Sequence, residues 1–424
     1  MKKTLLFAAA LFTVAGFNAQ AEVVADGAAL KAAIEAGSGD LVFELGEGSF
    51  EADSIATPLA VTSVTVKGAG ADKTFIKASN NGFIRPAAET SGLNIHVEGI
   101  TFQTDKELNS EGYIFNFSAK ASLGDIVIEN CGASHTRGIV RTQGDGVITI
   151  NSLTINNTVI NHFGDYGMVN IAGDKGHSVV TLKITNSTIA HQYAESSGAP
   201  KYADVITTKS AGTYTNFYFN NNTVHDIINN TGKYLANFGK DAGGTAQPLT
   251  GVMEFCNNLF GTVKELKVFS KVPQNGTPAY ETFKKENNYH STEFGPNNTD
   301  VTGAKHGFVS TNLTTAEMFA GIENDDFTPK AGEAWSAFGD PRWTATTPDP
   351  GSVEGSVSDS KVVVATEYYD MKGVRQYAAE EGLFIVKQIM EDGSVRVSKI
   401  SVRNNNGSIL SVETRKIGRA SCRE

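Results

Sequence analysis

The sequence predicts an all-β solenoid, and three observations predict it. A short strand runs into an asparagine-centred corner seven times: Val97-Glu-Gly-Ile-Thr-Phe, Ile128-Glu-Asn-Cys-Gly, Ile155-Asn-Asn-Thr-Val-Ile, Ile184-Thr-Asn-Ser-Thr-Ile, Phe219-Asn-Asn-Asn-Thr-Val, Phe255-Cys-Asn-Asn-Leu-Phe and Lys285-Glu-Asn-Asn-Tyr. Taking Gly99, Asn130, Asn157, Asn186, Asn221, Asn257 and Asn287 as the common position gives spacings of 31, 27, 29, 35, 36 and 30. A strand-like period near thirty with no helical signature inside it is that of stacked coils. Third, 43 Gly against 11 Pro and only 19% charged residues suit many tight corners around an apolar interior.

The corner has a physical rationale. Asparagine tolerates left-handed backbone better than other non-glycine residues. Coils stacked about 4.8 Å apart would let each corner amide donate to one copy and accept from another, giving a satisfied buried polar column. The flanking Ile, Val and Phe would form apolar columns beside it. Asn156, Asn186 and Asn221 also fit N-x-S/T glycosylation, but the repeat already accounts for their spacing. A chain of 424 residues need not be several domains, because solenoids grow by adding coils.

Residues 1–21 read as a secretion signal. Lys2 and Lys3 precede the apolar run 5–17, and Ala19-Gln20-Ala21 is a small-x-small cleavage site. No other run approaches the ~20 apolar residues of a membrane span. Cleavage moves the net charge from -10 to -12, so an exported acidic chain is expected. Cys131 and Cys256 fall four coils apart, roughly 19 Å along the stack, too far for a disulfide.

Asp26 is placed to cap a short helix over residues 28–36 that Gly37 stops, covering the open end of the stack. Strands at 41–45 and 63–67 follow, then Gly68-Ala-Gly70 and Thr74–Lys77. The phrases Ala29-Leu-Lys-Ala-Ala-Ile-Glu-Ala36, Val64-Thr-Val-Lys-Gly-Ala-Gly-Ala-Asp-Lys-Thr-Phe-Ile-Lys77 and Gly99-Ile-Thr-Phe102 resemble the opening of pectin-lyase-like, right-handed parallel β-helix proteins. With the repeats, the resemblance covers residues 23 to 300. It implies a right-handed parallel β-helix over 22–343 and says little about activity. Residues 300–343, ending Phe338-Gly-Asp-Pro-Arg-Trp343, resemble the segment that finishes secreted β-helix proteins of polysaccharide-degrading Gram-negative bacteria.

Residues 344–360, rich in Pro, Gly and Ser, read as a linker. Beyond it, 361–402 alternates short strands with turns, including an Asp392-Gly393 hairpin, and is expected to be a small β-sandwich-like domain. Its pattern Tyr368-Tyr-Asp-Met-Lys-Gly-Val-Arg, Gly382-Leu-Phe-Ile-Val-Lys and Asp392-Gly-Ser-Val-Arg-Val-Ser-Lys resembles the C-terminal sorting domains of type IX secretion. That likeness implies a secretion-machinery partner and an extracellular or outer-surface location. Residues 403–424 lack an apolar period, and 417–424 read as adaptor sequence outside the native chain.

Chemistry is expected in the middle coils. His135, His162 and His191 each stand five residues after a corner, with His225 four after the next. Stacked imidazoles suit a structural ladder better than metal coordination, because a linear column does not match compact ligand geometry. After each histidine comes another strand, and alignment puts Arg141, Asn170, Thr207 and Asn237 in one outward polar row. Arg137, Asp165, Tyr166, Tyr193, Tyr202 and Lys209 lie in adjoining turns. Planar donors and rings on a long sheet are what an extended sugar chain needs. Expected ligand contacts are therefore Arg141, Tyr166, Asn170, Thr207 and Lys209.

Local charge agrees: -8 over residues 22–119 but +1 over 120–240, so the middle coils least repel an acidic polymer. No basic stripe exists for nucleic acid. Were the site catalytic, Arg137, Arg141, Asp165 and Asp204 would carry it. A hydrolase would pair Asp165 with Asp204. A lyase would neutralise a uronate with Ca²⁺ or arginine, and Ca²⁺ is the one cofactor either scheme calls for. The paired aspartates, Gly-His-Gly and Arg-Ile-Lys of polygalacturonases are absent, as are the Arg-x-Pro-x-x-Arg and Trp-x-Asp-His patterns of pectate lyases. Asp325-Asp326 is the only Asp-Asp and falls outside the repeats. The expectation is polysaccharide engagement without demonstrated catalysis; a lyase or hydrolase, and an adhesin, are the alternatives.

Overall fold

Three strands separated by corners recur in each middle coil, and stacking turns them into three parallel sheets. The computed structural model describes residues 21–344 except 53, 78–81, 104–111, 165–166, 172–174, 193–203, 209–211, 229–232, 239–248, 264–266, 271–282, 296–306 and 331–332, together with the backbone of strands between 363 and 416. Sheet one has ten strands, from Glu22–Val24 to Lys284–Glu286. Sheet two also has ten, from Gly48–Glu51 to Phe308–Ser310. Sheet three has six, from Tyr113–Phe117 to Lys267–Ser270. Every pairing in these sheets is parallel, between equivalent strands of successive coils. The fold is a parallel β-helix.

The corners joining sheets one and two are those read from the repeat. Gly99 and all six aligned asparagines have φ between 46° and 65°. Their amides form only a broken ladder: Asn157 Nδ2 donates to Asn130 Oδ1 (2.6 Å), Asn221 to Asn186 (3.2 Å) and Asn287 to Asn257 (3.0 Å). Asn186 instead donates to Asn156 Oδ1 (2.9 Å). The fully buried polar column lies one residue further on, which corrects the expectation from sequence. Ser187, Asn222, Asn258 and Asn288 are all 0% exposed. Asn222 Nδ2 donates to Ile184 O, Asn258 Nδ2 to Phe219 O and Asn288 Nδ2 to Phe255 O, each to the coil before. Their Oδ1 atoms accept from the backbone of Ser187, Asn222 and Asn258. The corner residue itself faces outward because left-handed backbone turns its side chain away from the interior. Its successor points in and must be satisfied there.

Inside, Ile, Val and Leu pack with phenylalanines in the early coils (Phe83, Phe102, Phe115, Phe117) and again in the late ones (Phe217, Phe219, Phe255, Phe260). Phe255 meets Phe269 (5.0 Å) and Phe308 (5.6 Å) edge-on, the arrangement that aromatic quadrupoles favour. At the N-terminal end, Asp26 Oδ1 accepts from Ala29 N (2.8 Å) and starts the helix Gly27–Glu35. That helix buries Leu30 and Ile34 against the first coils. Cys131 and Cys256 are buried and unpaired, and burial pushes the Cys131 thiol up to about 12.

Beyond Phe308–Ser310 the chain does more than close the stack. A helix, Thr315–Met318, is begun by the Thr314/Glu317 capping box. An antiparallel ribbon of Phe319–Gly321 with Asp326–Pro329 follows, joined by the 3-10 turn Ile322–Asn324, and then a second 3-10 turn, Ala334–Ala337. This return segment runs back across sheet two, opposite to coil growth. Gly339 N donates to Asn257 O, Asp340 N to Thr223 Oγ1, and Thr188 Oγ1 to the buried Asp340 Oδ2 (2.7 Å). Trp343 Nε1 then donates to Thr188 Oγ1, and Arg342 Nη2 to Asn157 Oδ1 (2.7 Å) and O (2.9 Å). Arg342 thus occupies the break in the asparagine ladder. Gly339, at φ 89°, has no room for a Cβ, which would lie 2.7 Å from Thr223 Oγ1 and 2.9 Å from Leu259 Cγ. Beneath the segment lies a second apolar cluster of Ala190, Leu259, Met318, Phe319, Phe327 and Trp335.

The chain divides into two units, Met1–Thr346 and Thr347–Glu424. In the second, Val363–Tyr369, Arg375–Gln376, Gly382–Met390, Val395–Val402 and Arg415–Lys416 form one antiparallel sheet. Gly382–Met390 and Val395–Val402 pair antiparallel, and the Asp392-Gly393 turn read from the sequence lies outside the described residues.

Candidate functional site

The polar row on sheet three follows from strand register. Asn116 pairs with Arg141, Arg141 with Asn170 and Asn170 with Thr207; the Ile206–Ala236 pairing brings Asn237 next. Five coils therefore present Asn, Arg, Asn, Thr and Asn at one level, while Phe115, Val140, Val169, Ile206 and Ala236 point into the core. Asn116, Arg141, Thr207 and Asn237 are half-buried. Asn170, expected to point freely outward, is only 3% exposed. Its Nδ2 donates to the Tyr113 hydroxyl (3.4 Å), and its Oδ1 has no hydrogen-bond partner.

Tyr113 explains that burial and was not foreseen. Its ring crosses two coils, and its hydroxyl donates to Gly167 O (3.2 Å). The ring passes where the register partner is Gly138; a Cβ there would come within 2.5 Å of Tyr113 Cε1. Arg141 holds its guanidinium carbon 5.9 Å from the ring centroid, a cation–π contact. The signal was present as glycine at the head of successive strands, Gly138 and Gly167, but only register shows what the gaps admit.

Asp204 is buried beside the row. Its Oδ1 accepts from Tyr234 N (2.7 Å) and its Oδ2 from Asn237 Nδ2 (3.0 Å). Burial pushes its carboxyl above the usual range, against the opposing pull of these hydrogen bonds. Arg137 is half-buried in the turn before Gly138. Asp165, Tyr166 and Lys209 lie outside the described residues, as do Tyr193 and Tyr202.

The histidine column is real and lies under the return segment. His135 stacks on His162 (centroids 4.9 Å) and His162 on His191 (5.2 Å), while His225 meets His191 edge-on (5.4 Å). The first three have φ of 53° to 55°; in the next coil Asp226 takes that place at 47°. His191 Nδ1 lies 2.9 Å from Asp226 Oδ2, and Nε2 lies 2.8 Å from Asp325 Oδ1. Asp325, outside the repeats in sequence, is therefore part of the column in space. His225 packs against Phe327 (5.8 Å), and burial holds its pKa down at about 4. With both nitrogens of His191 engaged, it offers nothing to a metal.

Among the described residues, His96, Glu98 and Glu129 on sheet one bring one nitrogen and two oxygens within 4.8 Å. His96 Nε2 already meets Glu129 (2.9 Å), and Lys67 neutralises Glu98 (3.5 Å). The cluster is an ion-paired face of sheet one, on the same coils as Asn116 and Arg141 but on a different sheet.

Residues 48–192 match a family described as a domain of unknown function (DUF4957). No curated protein matches the chain. Among solved structures, pectin methylesterase PemA from Erwinia chrysanthemi aligns at 11% identity and TM-score 0.29, over 75% of this chain and 100% of its own. ORF18 of Geobacillus virus E2 aligns at 10% and 0.30, over 94% and 75% respectively. The PL6 family alginate lyase AlyGC aligns at 12% and 0.24, over 77% of this chain and 57% of its own. No described helix is long and apolar enough to cross a membrane.

Proposed function

We propose that the β-helix engages an extended polysaccharide along the row Asn116, Arg141, Asn170, Thr207 and Asn237. One observation carries this reading: five hydrogen-bonding side chains stand in register on consecutive coils, with a guanidinium steadied over an aromatic ring. Such a row offers donors and acceptors at the strand repeat of about 4.8 Å, which suits a polymer better than a compact ligand. Arg141 would take a sugar carboxylate as a planar two-pronged donor. The half-buried side chains of Asn116, Thr207 and Asn237 would exchange hydrogen bonds with sugar hydroxyls, while buried Asn170 holds the Tyr113 hydroxyl in place beside them. Tyr166 and Lys209 are proposed as flanking contacts.

Binding without cleavage fits Asp204 best, because both its oxygens are occupied by the protein's own donors. Its raised pKa favours a second reading, a hydrolase in which Asp204 is the general acid and Asp165 its partner. A uronate lyase using Arg137 or Arg141, with Ca²⁺, is the remaining enzymatic form. We further propose that residues 1–21 direct export and that the C-terminal antiparallel unit is read by secretion machinery, placing the β-helix at or outside the cell surface. A glycan array with product analysis tests the reading. Retention of acidic glycans without new products supports binding, products abolished by Asp204→Asn support the hydrolase, and no retention of any glycan contradicts both.

A further inference from the structure

A neutral imidazole has one N–H, whereas His191 presents both nitrogens to carboxylates at 2.9 and 2.8 Å. An ionised carboxylate only accepts. Both contacts are therefore hydrogen bonds only while the ring is an imidazolium. Asp226 belongs to the coil stack, where its N donates to Thr262 O (2.7 Å). Asp325 belongs to the return segment, at the left-handed turn between the two ribbon strands. The imidazolium thus ties two parts of the chain 99 residues apart.

We propose that Asp226, His191 and Asp325 form a pH-sensitive clamp that holds the return segment over sheet two and releases it when His191 loses its proton. Deprotonation leaves one carboxylate facing a ring lone pair at hydrogen-bond distance, which is repulsive. Asp325 is the end that yields, since its other oxygen is held only by Asn161 Nδ2 (2.9 Å). Two residues on, Phe327 covers His225 and contacts Trp343 (5.6 Å), so release at Asp325 reaches the apolar cluster.

The titratable neighbours among the described residues have defined positions. His162 stacks on one face of His191, and His225 approaches edge-on from the next coil. His225, held neutral by burial above about pH 4, adds no competing charge. Glu293, beside Thr262 and Thr315, acts on His225. The hydrogen bond to Asp226, followed by the bond to Asp325, holds the His191 pKa above its ordinary 6.5 against the opposing effect of burial. Burial opposes the charge on Asp325, but its bonds to His191 and Asn161 outweigh it and hold its carboxyl below 3.8. By linkage, the His191 contribution is complete below pH 6.5 and fades as pH rises through the elevated pKa. The Asp325 contribution is complete above pH 3.8 and fades as pH falls through the lowered one. The clamp is fully closed between these two ordinary values, about pH 3.8 to 6.5, and opens toward alkali.

Both tryptophans of the chain, Trp335 and Trp343, lie in the return segment, so intrinsic fluorescence reports on it directly. Emission of the full chain is followed from pH 5 to 9.5, with far-ultraviolet circular dichroism confirming that the coils remain folded. The expected result is a red shift with a midpoint above pH 6.5. His191→Gln should abolish the transition, whether the segment then stays docked or stays released. Asp325→Asn should move the midpoint down by about one pH unit, the usual effect of removing one adjacent opposite charge. Absence of a transition in the parent, or an unchanged midpoint in Asp325→Asn, overturns the clamp.

Discussion

Sheet two and sheet three are built from the same coils, yet their outer faces have opposite fates. On sheet two the return segment supplies partners for Thr188, Thr223, Asn157 and His191, and places an apolar cluster over the strands. On sheet three Asn116, Arg141, Thr207 and Asn237 stay half-buried, while Asn170 is buried with its Oδ1 unsatisfied. Histidine beside aspartate looks more reactive than asparagine and threonine, but on sheet two the chain itself saturates that chemistry. Half-exposed polar side chains in register, rather than the reactivity of the residue types, mark the face suited to a ligand.

The comparison breaks first if the covered face is not structural. Trp335→Ala removes a buried ring from the second cluster and should cost about 3–5 kcal/mol of the segment's docking. Limited proteolysis should then cut between 319 and 343, while glycan retention stays at the parent level. Cleavage resistance equal to the parent would show that the cluster does not hold the segment.

The corners sharpen it next. Asn258→Leu leaves the Asn222 amide and the Phe219 carbonyl without partners and should cost about 2–4 kcal/mol, since each orphaned buried group costs about 1–3. Asn130→Ala, at an exposed corner, should cost about 1 kcal/mol, mostly from left-handed backbone. Urea midpoints in that order support the inner column; the reverse order would return the buried role to the corner residue.

A smaller effect distinguishes a braced aspartate from a poised one. Burial raises the Asp204 pKa, so the folded state holds its proton more tightly than the unfolded one. Its contribution is complete below pH 3.8 and is lost as pH rises through the raised pKa. The parent should therefore lose stability relative to Asp204→Asn between pH 4 and pH 7, measured by paired urea titrations. A gap moving the other way would mean that Asp204 is held as a stabilised anion.

Much of this architecture was legible because the repeat reports backbone conformation directly. An asparagine at each corner announces a left-handed residue, and Asp26 with Gly37 delimits the cap helix. The phase of the buried column was not legible, since Asn-Asn doublets at 221–222, 257–258 and 287–288 do not say which member points inward, and at 156–157 neither member does, Thr158 taking the place. Register settles that. The return segment has no periodicity, and contacts such as His191 with Asp325 and Asn157 with Arg342 join residues 134 and 185 positions apart. The row itself could be aligned from sequence as far as Arg141, Asn170, Thr207 and Asn237. Tyr113 could not, because its place depends on a space left by glycines one and two coils away.

Two arginines provide the most direct test of ligand placement. Arg141 stands on the half-exposed row, and Arg342 is bound to Asn157 on the covered face. Calorimetric titration with an acidic polysaccharide should show Arg141→Ala weakening binding by about 1.5–3 kcal/mol, the range of a hydrogen bond to a charged group. That is roughly a 10- to 150-fold loss, and added salt should reduce it. Arg342→Ala should bind as the parent does, even where it unfolds more easily. If Arg141→Ala keeps parental affinity while Arg342→Ala loses it, the polysaccharide lies on the other face and the proposed site is wrong.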